Sequence, residues 1–472
     1  MISSALMILF FLLSPATGGV VVYFVSRFFG EKQSIIKLLS FLSSLPPLVL
    51  AFYLIYAKIS NIYYGDQNGA YMFIDNFSLF FLIMFSIIFV LSLLYSFDYM
   101  KGRADQADFY SSFLFLYSLS LGTVTAGDLF TFFILYEGVA IVVILISLFT
   151  RNAPSIMASV RYMRMVSIGS GFYFFATALI YGSTGTLSFQ LLPAQISKID
   201  PKVSLLIQSL LLVSFGIEAA LFPLHFWLPE LHANALAPVS SALSGVIVTL
   251  GIYAFSRFMP LIFPTNEWWW RETLFIISFF SITFPNVLAF AQDNFKRLLA
   301  YSTIFNLGIA TLLISIGSKL AIEAMVLQLF AHAIAKSSLF LVSGFISKSY
   351  STLSLSSAKK RNIPLEIKFT VLLSTLSLMG FPLTLGFFSK FFSLVAIASS
   401  GISLERFVIL LVILASFILS FPYYLKIMRC LVLSNGNEEK IKVPTFMLVS
   451  MVAMDILLIV LPFFIQDLIS LV

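Results

Sequence analysis

Long apolar runs separated by short polar breaks repeat from one end of the chain to the other, and most of them extend for twenty residues or more. A bilayer core about 30 Å thick needs roughly 20 apolar residues per helix, and by that length rule the chain supplies about 14. They fall near residues 3–28, 34–58, 77–99, 109–126, 128–150, 158–182, 204–228, 234–260, 272–291, 295–316, 320–346, 366–399, 404–430 and 444–470. Lipid tolerates only helices or closed barrels, because backbone groups there have no water to bond. These runs are too long and too continuous for the weak alternation of barrel strands. The pattern predicts an all-α polytopic membrane protein. The longest polar stretches, near 347–366 and 434–442, are too short for a soluble module, so one membrane domain over 1–472 is expected.

Composition sharpens this picture. Hydrophobic residues are 60% of the chain and charged residues 10%, against about 25% charged in a soluble domain. The net charge of +7 would suit nucleic acid only if the basic residues formed one face. Instead they follow the loops. Arg27, Lys32, Lys37, Lys101, Arg103, Arg151, Arg161, Arg164, Lys296, Arg297, Lys348, Lys359, Lys360, Arg361, Lys368, Lys426, Arg429, Lys440 and Lys442 fall on one side. Lys58, Lys198, Lys202, Arg257, Arg271, Lys319 and Arg406 fall on the other, and Lys336 and Lys390 lie within helices. By the positive-inside rule the rich side is cytoplasmic, which puts both termini outside. Residues 1–20 lack a basic leader segment and are expected to form a first helix. Trp268, Trp269 and Trp270 read as an interfacial belt. The single cysteine, Cys430, excludes an intrachain disulfide and a thiolate-built metal cluster, so no redox chemistry, cofactor or metal centre is expected here.

Ionisable residues inside the runs carry the candidate chemistry, since a charge at the bilayer centre costs about 2.5–3.5 kcal/mol on insertion scales. Glu137 is centred in LFTFFILYEGVAIVVILISLF, too deep to snorkel. Glu218 precedes Pro223 in GIEAALFPLHFWLPELHANALAP, and the proline must kink or break that helix. A matching interruption, Gly380, Pro382 and Gly386, precedes Lys390 in the other half. Paired broken helices beside buried charges mark ion or substrate sites in transporters, although a Gly/Pro kink alone also serves packing. His332 and Lys336, four residues apart, share a helix face, a geometry suited to a proton relay or to a structural partner for a buried acid. His225 follows the first break and is expected nearer the surface. Asp455 interrupts the last apolar run, where a protonated acid or a subunit contact would both fit.

The stretch GIEAALFPLHFWLPELHANALAPVSSALSGVIVTLGIYAFSRF resembles the signature helix pair of the proton-conducting membrane transporter family. That family includes the antiporter-like subunits of respiratory complex I, Mrp cation/proton antiporters, and relatives in membrane-bound hydrogenases. LYEGVAIVVILISLF, DNFKRLLAYSTIFNLG, HAIAKSSLFLVSG and GFPLTLGFFSKFF extend the resemblance over most of the chain. It implies two inverted five-helix repeats, each with a broken helix: one half-channel about 109–260, a second about 272–430, and flanking helices over 1–99 and 444–470. A polar axis containing Glu137, Lys336 and Lys390 would run along the membrane plane. In length the chain is more similar to the Mrp D or complex I N and M subunits than to the longer L type.

Two positions depart from the family pattern. Glu218 and Thr249 stand where the resemblance implies lysines. A Glu137–Glu218 pair follows as an expectation; two close carboxylates cannot readily both ionise, so they would share a proton or hold a cation such as Na+. The expected function is H+ translocation, with exchange for Na+ as an option, in a multi-subunit complex coupled to electron transfer by partners or to an ion gradient. The resemblance would make the chain a translocase subunit of an NADH-quinone oxidoreductase or membrane-bound hydrogenase type of complex. The alternatives are a non-conducting scaffold that anchors a redox module and a free-standing secondary transporter.

Overall fold

The computed structural model describes residues 2–28, 33–66, 69–263, 269–399, 404–437, 439 and 441–469. Trp268, Lys32 and Lys440 lie outside these. The helices run α1 (Ile2–Phe28), α2 (Gln33–Tyr56), α3 (Asn76–Tyr99), α4 (Gln106–Val124), α5 (Leu129–Ser147), α6 (Ala153–Thr184), α7 (Pro201–Glu218) and α8 (Trp227–Asn234). Next come α9 (Ala237–Ala242) and α10 (Val248–Ile262), joined without a break by a π-turn at Leu243–Ile247. The rest are α11 (Trp269–Ala291), α12 (Phe295–Ile316), α13 (Lys319–Tyr350), α14 (Leu355–Ala358), α15 (Leu365–Met379), α16 (Leu385–Ser399), α17 (Leu404–Leu431), α18 (Thr445–Val460) and α19 (Ile465–Ile469). Among the described residues, 12 helices are long and apolar enough to cross a membrane.

Local chemistry fixes several helix starts. Asp128 caps α5 by accepting from Phe130 N at 2.8 Å and Thr131 N at 2.7 Å, which sets the helix that carries Glu137. Asn152 and Ser155 form a reciprocal capping box at the start of α6. Asp75 caps α3 through Ser78 N at 2.8 Å, and its other oxygen is tightly paired with Arg257 of α10.

At the centre lies α13, whose most apolar stretch is wholly buried; it packs against α3, α9, α12, α15, α16 and α18. Lipid tails are as apolar as leucine, so burial here rests on close packing and internal hydrogen bonds rather than on escape from water. Outer helices such as α5, α6 and α11 present bulky apolar residues outward, among them Ile141, Phe174 and Val287.

Both expected interruptions are present: the run near 204–228 is a helix that stops at Glu218 and resumes at Trp227, and the run near 366–399 is two helices with an interruption at 380–384. An antiparallel hairpin, β1 (Ile62–Asp66) and β2 (Gly69–Ile74), joins α2 to α3; a search for apolar spans passes over it. Of the tryptophans expected in an interfacial belt, Trp270 is fully buried at the start of α11, with the Arg271 guanidinium 4.7 Å from its ring, while Trp269 is 39% exposed.

The polar end of α4 supplies a test. Arg103 bonds Asp105 through Nε and Nη2, both at 2.9 Å, and holds its carboxyl below the usual carboxylate range despite burial. A depressed folded-state value means that the stabilisation is present above the unfolded value, about 3.9, and is lost as pH falls through the folded one. Thermal melting in detergent across that window should show a steeper acid loss for the wild type than for Asp105→Asn. Identical slopes would remove Asp105 from the account.

Candidate functional site

The first break begins where α7 ends. Pro223 cannot donate, so the carbonyls and amides left unpaired around it need other partners. Trp227 Nε1 donates to Ile217 O at 3.0 Å, Leu221 N to Gly216 O at 2.9 Å, and Phe222 N to Ser281 Oγ of α11 at 2.9 Å. Gly251 of α10 lies directly against the Glu218–Ala219 backbone, an approach that a side chain would block. Glu218 is thereby fixed, only 3% exposed, at the open end of its helix, and its Oε1 has no hydrogen-bond partner.

Tyr136 and Tyr162 both lie within electrostatic reach of Glu137 and Glu218, so phenols accompany the two carboxylates expected from sequence. Beside them a cavity of about 10 Å³, lined in part by Tyr136, Ser170, Ser214 and Glu218, has room for about one water. Glu137 itself is half-buried on the outer flank of α5, near exposed Ile134 and Ile141, with its Oε1 unpartnered. Thr249 donates to Val246 O of its own helix at 2.6 Å, which occupies the hydroxyl locally. His225 is 1% exposed, stacked on Phe222 at 5.4 Å and tilted against Phe226 at 4.4 Å.

Four basic side chains meet at the middle of the bundle. Lys336 is fully buried, and its Nζ donates to Leu299 O at 3.0 Å and Ser302 Oγ at 2.5 Å; Ser302 in turn contacts Tyr424 OH at 2.5 Å. His332, one turn away, has neither ring nitrogen bonded. His232 of α8 stacks on Phe340 of α13 at 4.3 Å and lies within electrostatic reach of Lys296, Lys336 and His332. Lys296 is 3% exposed and donates to Ala235 O at 2.6 Å. His232 and Lys296 were missed from sequence. Lys296 precedes Arg297 at a helix start and so counts naturally as a loop cation, and His232 follows an acid in a segment already read as a break.

From Lys336 a hydrogen-bonded line runs to the second break. Asn306 Nδ2 donates to Ser302 O at 2.7 Å, Gln328 Nε2 to Asn306 Oδ1 at 2.9 Å, and Ser389 Oγ to Gln328 Oε1 at 2.9 Å. Lys390, next to Ser389, is 6% exposed; its Nζ has no hydrogen-bond partner and rests 4.6 Å from the Phe417 ring centre. Amides do not themselves hand on protons, but they fix dipoles and can order water between groups that do. Asn306 and Gln328 escaped notice because only ionisable residues were weighed.

Gly380 ends α15 at φ +82, and a Cβ there would come 2.7 Å from Lys390 Cδ. Gly380→Ala should therefore cost about 1 kcal/mol for its left-handed backbone alone and push the lysine stem aside. A lowered Tm together with slowed ion movement is the expected result, and an unchanged Tm would refute it. Asp455 gains a partner that was not evident from sequence: its Oδ2 accepts from Thr370 Oγ1 at 2.7 Å, while Oδ1 has none.

Comparison with known proteins fits this geometry. The family model described as "NADH:quinone oxidoreductase/Mrp antiporter, TM" matches residues 126–420, which include both breaks and the central basic cluster. NADH-quinone oxidoreductase subunit N of Desulforudis audaxviator (strain MP104C) is 28% identical over 408 residues, 80% of this chain and 79% of that protein. A Na(+)/H(+) antiporter subunit of Alkalihalophilus pseudofirmus (strain ATCC BAA-2126 / JCM 17055 / OF4) is 28% identical over 364 residues, 76% and 72% of the two chains. A chain in the structure of the membrane-bound sulfane sulfur reductase, an archaeal respiratory membrane complex, superposes with TM-score 0.90 at 23% identity, covering 98% of this chain and 96% of that one.

Proposed function

The chain belongs to the NADH:quinone oxidoreductase/Mrp antiporter transmembrane family, and on that premise we propose that it translocates H+ as an antiporter-like subunit of a multi-subunit membrane complex. The observation that carries this reading is the burial of six ionisable groups inside the bundle, Glu218, His232, Lys296, His332, Lys336 and Lys390, each at most 6% exposed; we take them as one row. Groups so buried and so sparsely paired are costly, and their use is to change charge. A proton arriving at Lys336 alters the field at His332 and His232, and the charge displacement passes along the row. Water reaching the two breaks connects the row to the two surfaces.

In this reading α4 and the interrupted α15–α16 pair cross the membrane along with the 12 long spans, and the two breaks belong to inverted repeats. The basic loops face the cytoplasm and both termini lie outside. Glu137, half-buried on the flank with an unpartnered oxygen, meets an adjacent membrane subunit. Energy comes from a redox module or an opposing ion gradient. The acid and phenol cluster at Glu218 is the candidate place for Na+ to exchange with H+.

Lys390→Met tests the reading in the complex reconstituted into vesicles. Its methionine keeps the stem length and loses the proton site, so translocation should fall by roughly 100-fold. Undiminished translocation with the complex intact would favour a scaffold instead.

A further inference from the structure

Away from the polar row, at one end of the bundle, lies a cavity of about 600 Å³. That is the size of a small-molecule site, about 300–1,000 Å³. The β-hairpin, the start of α3, the loop after α6 and the ends of α10, α11, α12 and α13 line it, and it opens to the outside. None of Glu137, Glu218, Lys336 or Lys390 lines it, and among the described residues no acidic side chain does.

Two arginines face this space. Arg257 is held by its pair with Asp75 and by the Phe73 and Phe189 rings, 4.9 and 5.9 Å from the guanidinium carbon. Its Nη2 is nonetheless buried without a partner, which is unfavourable unless something accepts from it. Asp75 is shared besides with the start of α3. Arg271 has no acidic partner among the described residues; its guanidinium lies 4.7 Å from the Trp270 ring and makes a long 3.5 Å bond to Ser315 O. Both arginines lie at the end of the molecule poor in Lys and Arg, so the loop bias that accounts for the other cations does not account for them.

The remaining walls are apolar, chiefly Phe73, Phe77, Phe189 and Leu261. A soluble anion would satisfy the guanidinium nitrogens and leave those walls uncovered. An ordinary apolar tail would cover the walls and leave the nitrogens bare. Planar guanidinium groups match phosphate oxygens two at a time. We propose that this cavity binds an anionic phospholipid, with the phosphate on Arg257 and Arg271 and an acyl chain over the phenylalanines. The lipid would tie the hairpin to α10 and α11.

The purified complex containing the full chain, examined by native mass spectrometry with added phosphatidylglycerol, phosphatidylcholine or inorganic phosphate, tests this. Phosphatidylglycerol should be retained roughly tenfold better than phosphatidylcholine, because the choline ammonium cancels the net charge that the two arginines attract and is itself repelled by them. Arg271→Gln should remove that preference. Gln190→Glu, at an exposed position on the cavity wall, should do the same by repulsion, and it carries the test if the arginine variant does not fold. Equal retention of the two lipids, indifference to both substitutions, or displacement of the lipid by inorganic phosphate would each overturn the proposal. The last outcome would assign the site to a soluble anion.

Discussion

Lys336→Met is expected to stop ion translocation while leaving the protein folded and its complex assembled. Burying an ammonium group with no carboxylate beside it costs several kcal/mol after relaxation. Lys336 offsets part of this through Leu299 O and Ser302 Oγ, at 3.0 and 2.5 Å. Methionine keeps the length and apolar character of the stem, and Ser302 keeps its contact with Tyr424. The leucine carbonyl loses an acceptor role worth about 1 kcal/mol, less than the desolvation relieved. Melting temperature should therefore hold or rise as translocation falls by roughly 100-fold. A variant that lost both together would show Lys336 to be a structural residue.

Glu218→Gln should have a comparable effect on translocation in the other half of the molecule. The amide has nearly the shape of the acid, so the close approach of Gly251 to this backbone is undisturbed. What disappears is the titrating proton beside Tyr136. Translocation should drop by roughly 100-fold, the usual contribution of a positioned proton donor or acceptor. Glu218→Lys supplies a titratable group of opposite charge. It should recover H+ movement in part and abolish any dependence on Na+, because an ammonium cannot hold a cation. Proton flux and Na+ flux measured in the same vesicles separate these outcomes. A glutamine variant with wild-type flux would leave the first half without a role in conduction.

Both predictions rest on residues that were legible in the sequence. The four-residue spacing of His332 and Lys336, and the prolines beside Glu218 and ahead of Lys390, point to the site because charge and helix breaks are rare in apolar runs. The rest was hidden for physical reasons. Lys296 looks like a loop cation until its ammonium is seen buried and donating to the Ala235 carbonyl. His232 acquires meaning only when α8 folds back to lay its ring on Phe340. Asn306 and Gln328 carry no charge and so fall outside a reading confined to ionisable groups, yet they link Lys336 to Ser389 through partners far apart in sequence. Tyr136 sits one residue from Glu137, and helix geometry turns it toward Glu218 instead. Hydropathy reads the length of each span and says little of which face meets which.

The central claim is that protons cross the membrane through this chain's own interior row. Its most direct test is the number of protons moved per turnover of the intact complex in sealed vesicles, for the wild-type chain and for Lys336→Met with Lys390→Met. The row predicts a lower ratio in the double variant, with the partners' chemistry still running. An unchanged ratio would mean that ions travel elsewhere and would contradict it.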